Sequence, residues 1–417
     1  MRKSPIPVYR WELIALLWGA FFLNQGDRQI YNAIMPLLRE DLGLSDAQLG
    51  LVVTIFTLLY GFLVPVAGYA GDVFQRRWVV AMSLFTFSMG TLLTGGAATL
   101  VLLVVFRSVA TGAGEAFYYP AANSLIGQYH QRNRAMAMAI HQTANYTGIV
   151  IGGWLAGWIG QTYGWRMSFF AFGIAGVAWS VLVMLRFRND RADAANASKT
   201  TPATERPPLG DILRNTLGKP TLWMLSFAFG GMIFVHIGFL TWMPTFLYET
   251  FELSLARASL ASMLYHHLAA YIGVLAGAHI ADRLVVRRKQ ARMDVECVGL
   301  LLGAPFIWLM GAADTLWIVC FALAGFGFFR GVYDSNLFAA LFDVINPRYH
   351  ASATGIMASI GFVIGSISPT LLGWMKPRVG LGTGIMMLGF VYVGSALLIL
   401  AAKWIFFDKD HVAAGND

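Results

Sequence analysis

Five charged residues lie inside long apolar stretches of this sequence: Asp27, Arg28, Glu115, Arg330 and Asp334. An ionisable group near the centre of a bilayer costs at least about 2.5–3.5 kcal/mol on insertion scales, so such a group marks a functional site by default. A carboxyl group in an apolar cleft is suited to taking up and releasing a proton. An arginine is suited to binding a carboxylate, because its planar fork offers two parallel donors. The two residue types together predict a site for an anion and for protons.

The first two of these charges belong to a polar island, residues 24–32, in the middle of an apolar segment. Asp27 and Arg28 are adjacent, so about 100° separates them on a helix and they face different neighbours. Gly26 precedes them and permits close packing, and Tyr31 is a substrate-binding candidate on the same segment. Two interpretations remain open. The pair either locks this helix to its neighbours, or it takes part in proton coupling and substrate binding.

Glu115 lies in a second polar stretch, which contains two glycines. Tyr118 and Tyr119 follow it by three and four residues, which places the three side chains on one face of a helix. Both tyrosines and Asn123 are therefore candidates for substrate binding, and Glu115 is a candidate proton carrier. In the alternative interpretation Glu115 simply pairs with an arginine, either Arg107 of the same segment or the arginine of the first polar island.

The second half of the sequence carries its own pair. Arg330 and Asp334 are four residues apart and can contact each other within a helix, which makes it less costly to insert both. Either the pair is structural, or Arg330 exchanges Asp334 for a carboxylate of the substrate. Three further candidates for substrate binding are His236, and His141 with Asn145 on one helical face. A lone histidine in a membrane segment is more often a packing residue than a ligand contact.

These residues are embedded in a chain of 417 residues that is 57% hydrophobic and 12% charged. A soluble domain carries roughly twice that charged fraction. The composition excludes a disordered protein, a small disulfide scaffold and a soluble enzyme of this size. At about 22 residues per membrane helix, 12 helices would use roughly 264 residues. The sequence therefore predicts an all-α membrane protein with 12 transmembrane helices.

Hydropathy divides the chain into 12 predicted spans. They are residues 11–36, 47–71, 77–97, 100–128, 134–160 and 167–187 in the first half, and 220–248, 257–282, 294–312, 315–342, 351–374 and 381–406 in the second. The first apolar stretch is too long for a signal peptide and is predicted to be a retained helix. Cys297 and Cys320 both lie in apolar stretches, and no spacing of ligand residues predicts a metal site. No motif predicts a cofactor.

Arginine and lysine residues cluster at alternate ends of the spans, as at Arg76 and Arg77 after the second span and Arg287 and Arg288 after the eighth. By the positive-inside rule, this pattern predicts that both termini are cytoplasmic. The net charge of +8 therefore reflects membrane topology and does not predict a nucleic-acid partner. We expect a monomer in a lipid bilayer, namely the inner membrane of a bacterial cell.

One long polar interval, residues 188–219, cannot bury a core and is predicted to be a cytoplasmic linker. It separates an N-terminal six-helix half, residues 1–187, from a C-terminal six-helix half, residues 220–417. Within it, residues 210–217 are predicted to form a short amphipathic helix at the membrane interface.

The two halves share a weak repeat. A small residue lies four positions before Asp72, and the basic pair Arg76 and Arg77 follows it. Asp282 has a similar setting 210 residues later. The same offset relates His236 to the first polar island. Parallel duplication of a six-helix unit explains the repeat and the linker, and such repeats build a central site between the halves.

The Asp72 segment resembles the loop motif of the major facilitator superfamily, a small residue followed four positions later by Asp and then by Arg-x-Gly-Arg-Arg. This sequence departs from the motif at Val73 and Gln75. The resemblance extends to the span count, the sidedness and the linker, and it implies the 12-helix fold of that superfamily. It also implies that Asp72, the basic pair Arg76–Arg77 and Asp282 brace the cytoplasmic gate. The alternative is that the basic pair only anchors at lipid headgroups.

Two further stretches resemble the anion:cation symporter family, which includes sugar-acid and hexonate proton symporters and sialin-like transporters. They are the pair Asp27-Arg28 in the first span and the Glu-Ala-x-x-x-Pro-Ala pattern that begins at Glu115. The resemblance implies that Asp27 and Glu115 couple protons and that Arg28 meets the substrate anion. The Gly-x-Gly-Glu-Ala string is equally similar to the Spinster lipid transporters. Arg107 departs from both families, since it lies eight residues before Glu115 and they place an arginine seven before.

The residues and the resemblance together predict a secondary active transporter. Its expected ligands are protons and a small organic anion, a sugar acid or another carboxylate, which it moves by symport and alternating access. A Spinster-like transporter of lipids, amphiphiles or drugs is the alternative. A membrane enzyme is disfavoured because no nucleophile–base pair is apparent, and a sensor because no signalling segment is apparent.

Overall fold

The structure, a computed structural model, describes residues 6–130, 133–187 and 209–412. In these ranges the regular secondary structure is helical, without strands. The helices are α1 (Ile6–Leu42), α2 (Asp46–Val73), α3 (Arg76–Thr94), α4 (Leu100–Tyr129), α5 (Arg134–Tyr163), α6 (Trp165–Arg186), α7 (Leu209–Leu217), α8 (Pro220–Phe251), α9 (Leu255–Val285), α10 (Ala291–Ala312), α11 (Leu316–Phe342), α12 (His350–Gly365 with Ser368–Val379) and α13 (Leu381–Asp410).

Each predicted span coincides with one long helix, and the short α7 coincides with the predicted amphipathic segment. Among the described residues, nine helices are long and apolar enough to cross a membrane. Helices α1, α3 and α5 are outside that set, and α1 contains the polar island around Asp27. The all-α prediction is therefore confirmed.

Three long helices are interrupted. Helix α4 contains a π-helical segment, Val104–Thr111, and a turn at Phe117. Helix α11 breaks at residues 335–336, and α12 breaks at residues 366–367, just before Pro369. Proline lacks an N–H donor, so it is best accommodated at the start of a new helical piece. These breaks lie inside segments that the sequence predicts to be continuous.

Two glycines make equivalent joints. Gly164 joins α5 to α6 with φ 91° and ψ 149°, and Gly380 joins α12 to α13 with φ 82° and ψ 154°. Only glycine adopts this conformation readily. The same backbone geometry therefore recurs at the last joint of each half, as expected of a duplicated six-helix unit.

The described chain forms two compact units. The first contains residues 6–34, 62–130 and 133–187, and the second contains residues 35–61 and 209–412. The predicted halves and their boundaries stay a prediction, because most of the linker lies outside the described residues.

Each unit has its own apolar core. In the first unit, Leu17 of α1, Leu84 and Phe87 of α3 and Tyr118 of α4 are buried together. In the second unit, α8 is the most buried of the nine apolar spans, and Trp242 in its C-terminal part is fully buried. These cores hold α1 and α4 in one unit, and α8, α9 and α11 in the other, at fixed mutual positions.

Candidate functional site

The charged residues of the first unit meet between α1 and α4. Arg28 on α1 donates through Nε to Oε2 of Glu115 on α4. Arg107, also on α4, lies between the two acids: its Nη1 is 3.9 Å from Asp27 Oδ2 and 3.9 Å from Glu115 Oε1. Its Nη2 donates to the carbonyl oxygen of Arg28 at 3.4 Å. We call these four residues the acid–arginine cluster; its charges balance when both acids are ionised.

Only one member of the cluster is open to solutes. The side chains of Glu115, Asp27 and Arg107 are 0%, 3% and 5% exposed, whereas that of Arg28 is 25% exposed. Buried charges of opposite sign compensate one another for lost solvation, and removal of one partner leaves the other uncompensated. Arg28 is therefore the group that a dissolved anion can contact first, and such a contact disturbs the balance of the other three.

Glycines let the helices that carry the cluster approach closely. A Cβ atom on Gly152 of α5 would collide with the Cα atom of Gly26, so α1 and α5 touch backbone to backbone beside Asp27. On the other side, Ser83 of α3 donates to the carbonyl oxygen of Gly114 at 2.6 Å. These contacts hold the residues next to Asp27 and Glu115 in place.

The other polar candidates of the first unit separate into two groups. The hydroxyl group of Tyr118 donates to the carbonyl oxygen of Leu17 at 2.6 Å and lies 3.2 Å from His141 Nε2. Tyr118, His141 and Tyr31 are all buried. The partly exposed candidates are Tyr119, Asn123 and Asn145. The first group therefore packs in the core, and the second keeps exposed surface.

In the second unit, Arg330 brings the candidates together. Its guanidinium contacts the ring of His236 on α8, with 3.2 Å between Nη1 and Nε2. Arg330 Nε lies 3.4 Å from Asp334 Oδ2, so the predicted contact within the helix is confirmed. His266 on α9 also faces this guanidinium, with 3.4 Å from Nη1 to Nε2. A guanidinium can only donate, so each histidine that bonds to it accepts through one ring nitrogen.

His266 is a histidine inside a predicted span to which the sequence assigned no role. It is buried, and no spacing in the sequence relates it to Arg330, because the two residues lie on different helices. Within the described part of the chain, no group of three or more His, Cys, Asp or Glu side chains is placed to hold a metal ion.

Comparison with known proteins identifies the family. The sequence matches the profile of the Major Facilitator Superfamily over residues 17–369. The chain belongs to the Major Facilitator Superfamily. The predicted fold class, an all-α membrane protein with the major facilitator fold, is confirmed by this match and by the structural neighbours, and 12 transmembrane helices are consistent with that fold. As a member of this superfamily the chain is a multi-pass membrane transporter and not an enzyme.

Similar proteins support the same assignment along the whole chain. The "Probable sulfoacetate transporter" of Cupriavidus necator is 26% identical, with 96% of this chain and 94% of that protein covered. The "Hexuronate transporter" of Bacillus subtilis is 24% identical, with 95% and 94% covered. Among solved structures, a bacterial homologue of the human lysosomal transporter Spinster, inward-facing and unoccupied, has a TM-score of 0.80 at 20% identity, with 98% and 99% covered. That likeness shows the fold alone.

The superfamily loop motif is described only in part. Arg77 donates through Nε to Gln75 Oε1 at 3.2 Å, and its guanidinium lies 5.2 Å from the ring centroid of the next residue's indole. Asp282 on α9 is exposed. The side chain of Asp72 lies outside the described part of the structure. The gating role of Asp72, Arg76, Arg77 and Asp282 stays a prediction.

A second ionic group, in the second unit of this superfamily member, was missed from the sequence. Lys376 on α12 places Nζ 3.0 Å from Asp46 Oδ1 and 2.8 Å from Glu249 Oε1. Arg39 places Nη1 2.9 Å from the same Glu249 oxygen and 3.4 Å from Asp46 Oδ1. We call these four residues the ion network. It ties the ends of α1 and α2 to α8 and α12, and no local spacing could have indicated it.

Proposed function

We propose that the chain is a proton-coupled symporter that moves a small organic anion, a sugar acid or another carboxylate, by alternating access. The single observation that carries the proposal is the contact between Arg28 and Glu115 in the acid–arginine cluster. One cation that a dissolved anion can reach is held there by a buried acid that can carry a proton. The names of two relatives, a sulfoacetate and a hexuronate transporter, support an anionic substrate.

Coupling follows from charge balance in the cluster. Asp27 and Glu115, when ionised, balance Arg28 and Arg107. An anionic group that binds Arg28 competes with Glu115, and the released carboxylate would then be a buried charge without its closest partner. Such a charge is costly, so uptake of a proton by one of the two acids restores the balance. Anion binding and protonation thus favour each other, and this mutual dependence is the coupling free energy.

A second contact for the substrate is proposed at Arg330. The carboxylate of Asp334, on the same helix, forms an ion pair with the guanidinium of Arg330, and the imidazole of His236 contacts that guanidinium. A substrate carboxylate that replaces Asp334 would keep the guanidinium paired. Arginine suits this exchange because it binds two oxygens at once.

The remaining candidates have unequal roles in the proposal. Tyr119, Asn123 and Asn145 keep exposed surface and are proposed to line the substrate route. Tyr31, Tyr118 and His141 are buried, and we assign them support of the helices that carry the cluster.

The wider setting is also proposed. We expect a monomer in the inner membrane of a bacterial cell with both termini cytoplasmic, as the distribution of Arg and Lys indicates. The cytoplasmic gate is assigned to Asp72, Arg76, Arg77 and Asp282.

Proteoliposome uptake tests the proposal. The purified chain is reconstituted, and uptake of labelled D-glucuronate and sulfoacetate is measured with and without an imposed inward proton gradient. We expect the gradient to drive accumulation in the native protein, and Asp27→Asn with Glu115→Gln to abolish the stimulation. Glu252→Gln, an exposed acid at the end of α8, is the matched control and should behave as the native protein. Unchanged stimulation in the double variant would refute proton coupling, and uptake of a lysolipid instead of either acid would favour the Spinster-like alternative.

A further inference from the structure

Helix α4 changes its winding at the cluster. From Val104 to Thr111 the backbone is π-helical, and it returns to α-helical winding at Gly112. The hydroxyl group of Thr111 donates to the carbonyl oxygen of Phe106, five residues earlier, at 2.9 Å. Arg107 lies inside the π-helical segment, and Glu115 lies in the α-helical piece that follows. The residues between them therefore do not follow one regular helix.

The winding decides which face Arg107 occupies. In a regular α-helix, eight residues would rotate a side chain about 800°, which leaves it about 80° away from Glu115 around the helix axis. A π turn bonds residue i to i+5 instead of i+4, so it takes up about one additional residue without added rotation. Eight residues that include such a turn therefore rotate a side chain as far as seven residues of a regular helix, about 700°. The side chains of Arg107 and Glu115 are then only about 20° apart around the helix axis. The observed 3.9 Å between Arg107 Nη1 and Glu115 Oε1 agrees with the helix that contains the π turn.

We propose that the π-helical segment is a register device: it absorbs one surplus residue of α4 and so places Arg107 on the same face as Glu115. Arg107 then acts as a positioning residue, which remains beside the two buried acids when Arg28 binds the anion. Its function in coupling rests on the proposed function above, whereas the register itself does not.

Contacts with α3 anchor the π-helical segment. A Cβ atom on Gly90 of α3 would lie 2.6 Å from Thr111 Oγ1 and 2.8 Å from Thr111 N, so α3 and α4 are in direct contact there. Ser83 binds the carbonyl oxygen of Gly114 one turn further on. The Cβ atom on Gly90 would also lie 3.1 Å from the carbonyl oxygen of Phe106, so the surplus residue lies between Phe106 and Thr111. Val109 is in that stretch and is 44% exposed.

The test changes the spacing and measures whether positions 107 and 115 still interact. In thermal unfolding, the effects of Arg107→Gln and Glu115→Gln are compared singly and together, in three backgrounds: the native chain, a chain with Val109 deleted, and a chain with one alanine inserted after Val109. We expect non-additive shifts in the native chain and in the deletion, where seven residues of α-helix restore the face. We expect additive shifts in the insertion, where the surplus is two.

Transport gives the second readout. The deletion should keep anion uptake within about threefold of the native rate, and the insertion should lose at least tenfold. Arg107→Gln should reduce uptake and change its pH profile, and Arg107→Lys should restore part of both. A residue with only a structural role would not show this recovery by a second cation. Additive shifts in a folded deletion variant, or non-additive shifts in the insertion, would overturn the register proposal. If the native protein shows no stimulation of uptake by protons but the unfolding shifts follow the expected pattern in all three backgrounds, only the proposed function is overturned.

Hydrogen exchange on the unmodified protein covers the case of a deletion that does not fold. Because a π turn has a disrupted bond ladder, amides of residues 107–111 should exchange at least tenfold faster than those of residues 119–125 in the regular part of α4. Equal protection of the two stretches would contradict the proposal.

Discussion

Loss of the lysine from the ion network should lower the free energy of unfolding by an amount that follows from the burial of its partners. Lys376→Met removes the cation that contacts both Asp46 and Glu249 but keeps an unbranched apolar stem beside Trp242, whose ring centroid is 5.6 Å from Nζ. Exposed ion pairs contribute about 0–1 kcal/mol each. Truncation of one partner of a buried pair costs about 3–5 kcal/mol. Lys376 is 10% exposed and its two partners 15% and 27%, so we expect a loss of about 2 kcal/mol, between these limits.

Thermal unfolding of the purified protein measures this loss. For a unit of this size 1 kcal/mol corresponds to about 2–4 °C, so Lys376→Met should lower Tm by about 4–8 °C. Lys409→Met, at an exposed lysine, is the matched control and should leave Tm unchanged. Adding Glu249→Gln to Lys376→Met should recover part of the loss, because it removes one of the two acids left without the lysine. Equal Tm values for Lys376→Met and Lys409→Met would show that the ion network does not stabilise the protein.

Three further predictions concern the candidate site. Gly152→Ala should lower Tm by several degrees and reduce uptake, because the added Cβ atom would meet Gly26. Gly210→Ala on α7, which has nothing within 4 Å, is the control and should leave Tm unchanged. Equal Tm values for the two variants would contradict this prediction. Tyr118→Phe removes the hydrogen bond to Leu17 and should cost about 1 kcal/mol in unfolding while KM stays within about twofold; a large rise in KM would instead make Tyr118 a substrate contact. Arg330→Gln removes a charge-assisted contact of about 1.5–3 kcal/mol, so KM should rise roughly 10- to 100-fold while the proton stimulation remains; an unchanged KM would leave Arg330 with a structural role only.

Much of the fold could be predicted from the sequence. Long apolar segments in a bilayer must satisfy their backbone groups internally, which leaves helices as the solution for each segment. The interruptions at residues 335–336 and 366–367 were not predicted, because hydropathy averages over a window and does not register a local break. Charges inside apolar segments are costly, and this alone singled out Asp27, Arg28 and Glu115.

Other parts of the site needed the structure. The spacing of eight residues between Arg107 and Glu115 argues against a shared face if the helix is assumed to be regular, and the π-helical segment removes that assumption. His266 and Arg330 meet only because α9 and α11 pack together. Lys376 is 330 residues from Asp46, so no local pattern could relate them. Such contacts depend on how the helices pack, which spacing along the chain does not specify.

In the proposed mechanism, binding of an anion at Arg28 drives a proton onto the acids beside it. The most direct test records internal pH in proteoliposomes with a trapped pH-sensitive dye while an inward D-glucuronate gradient is applied without any imposed pH gradient. We expect the interior of vesicles with the native protein to acidify as the anion enters. We expect vesicles with Glu115→Gln and Asp27→Asn to exchange the anion without a pH change. Anion accumulation by the native protein at constant internal pH would exclude proton symport.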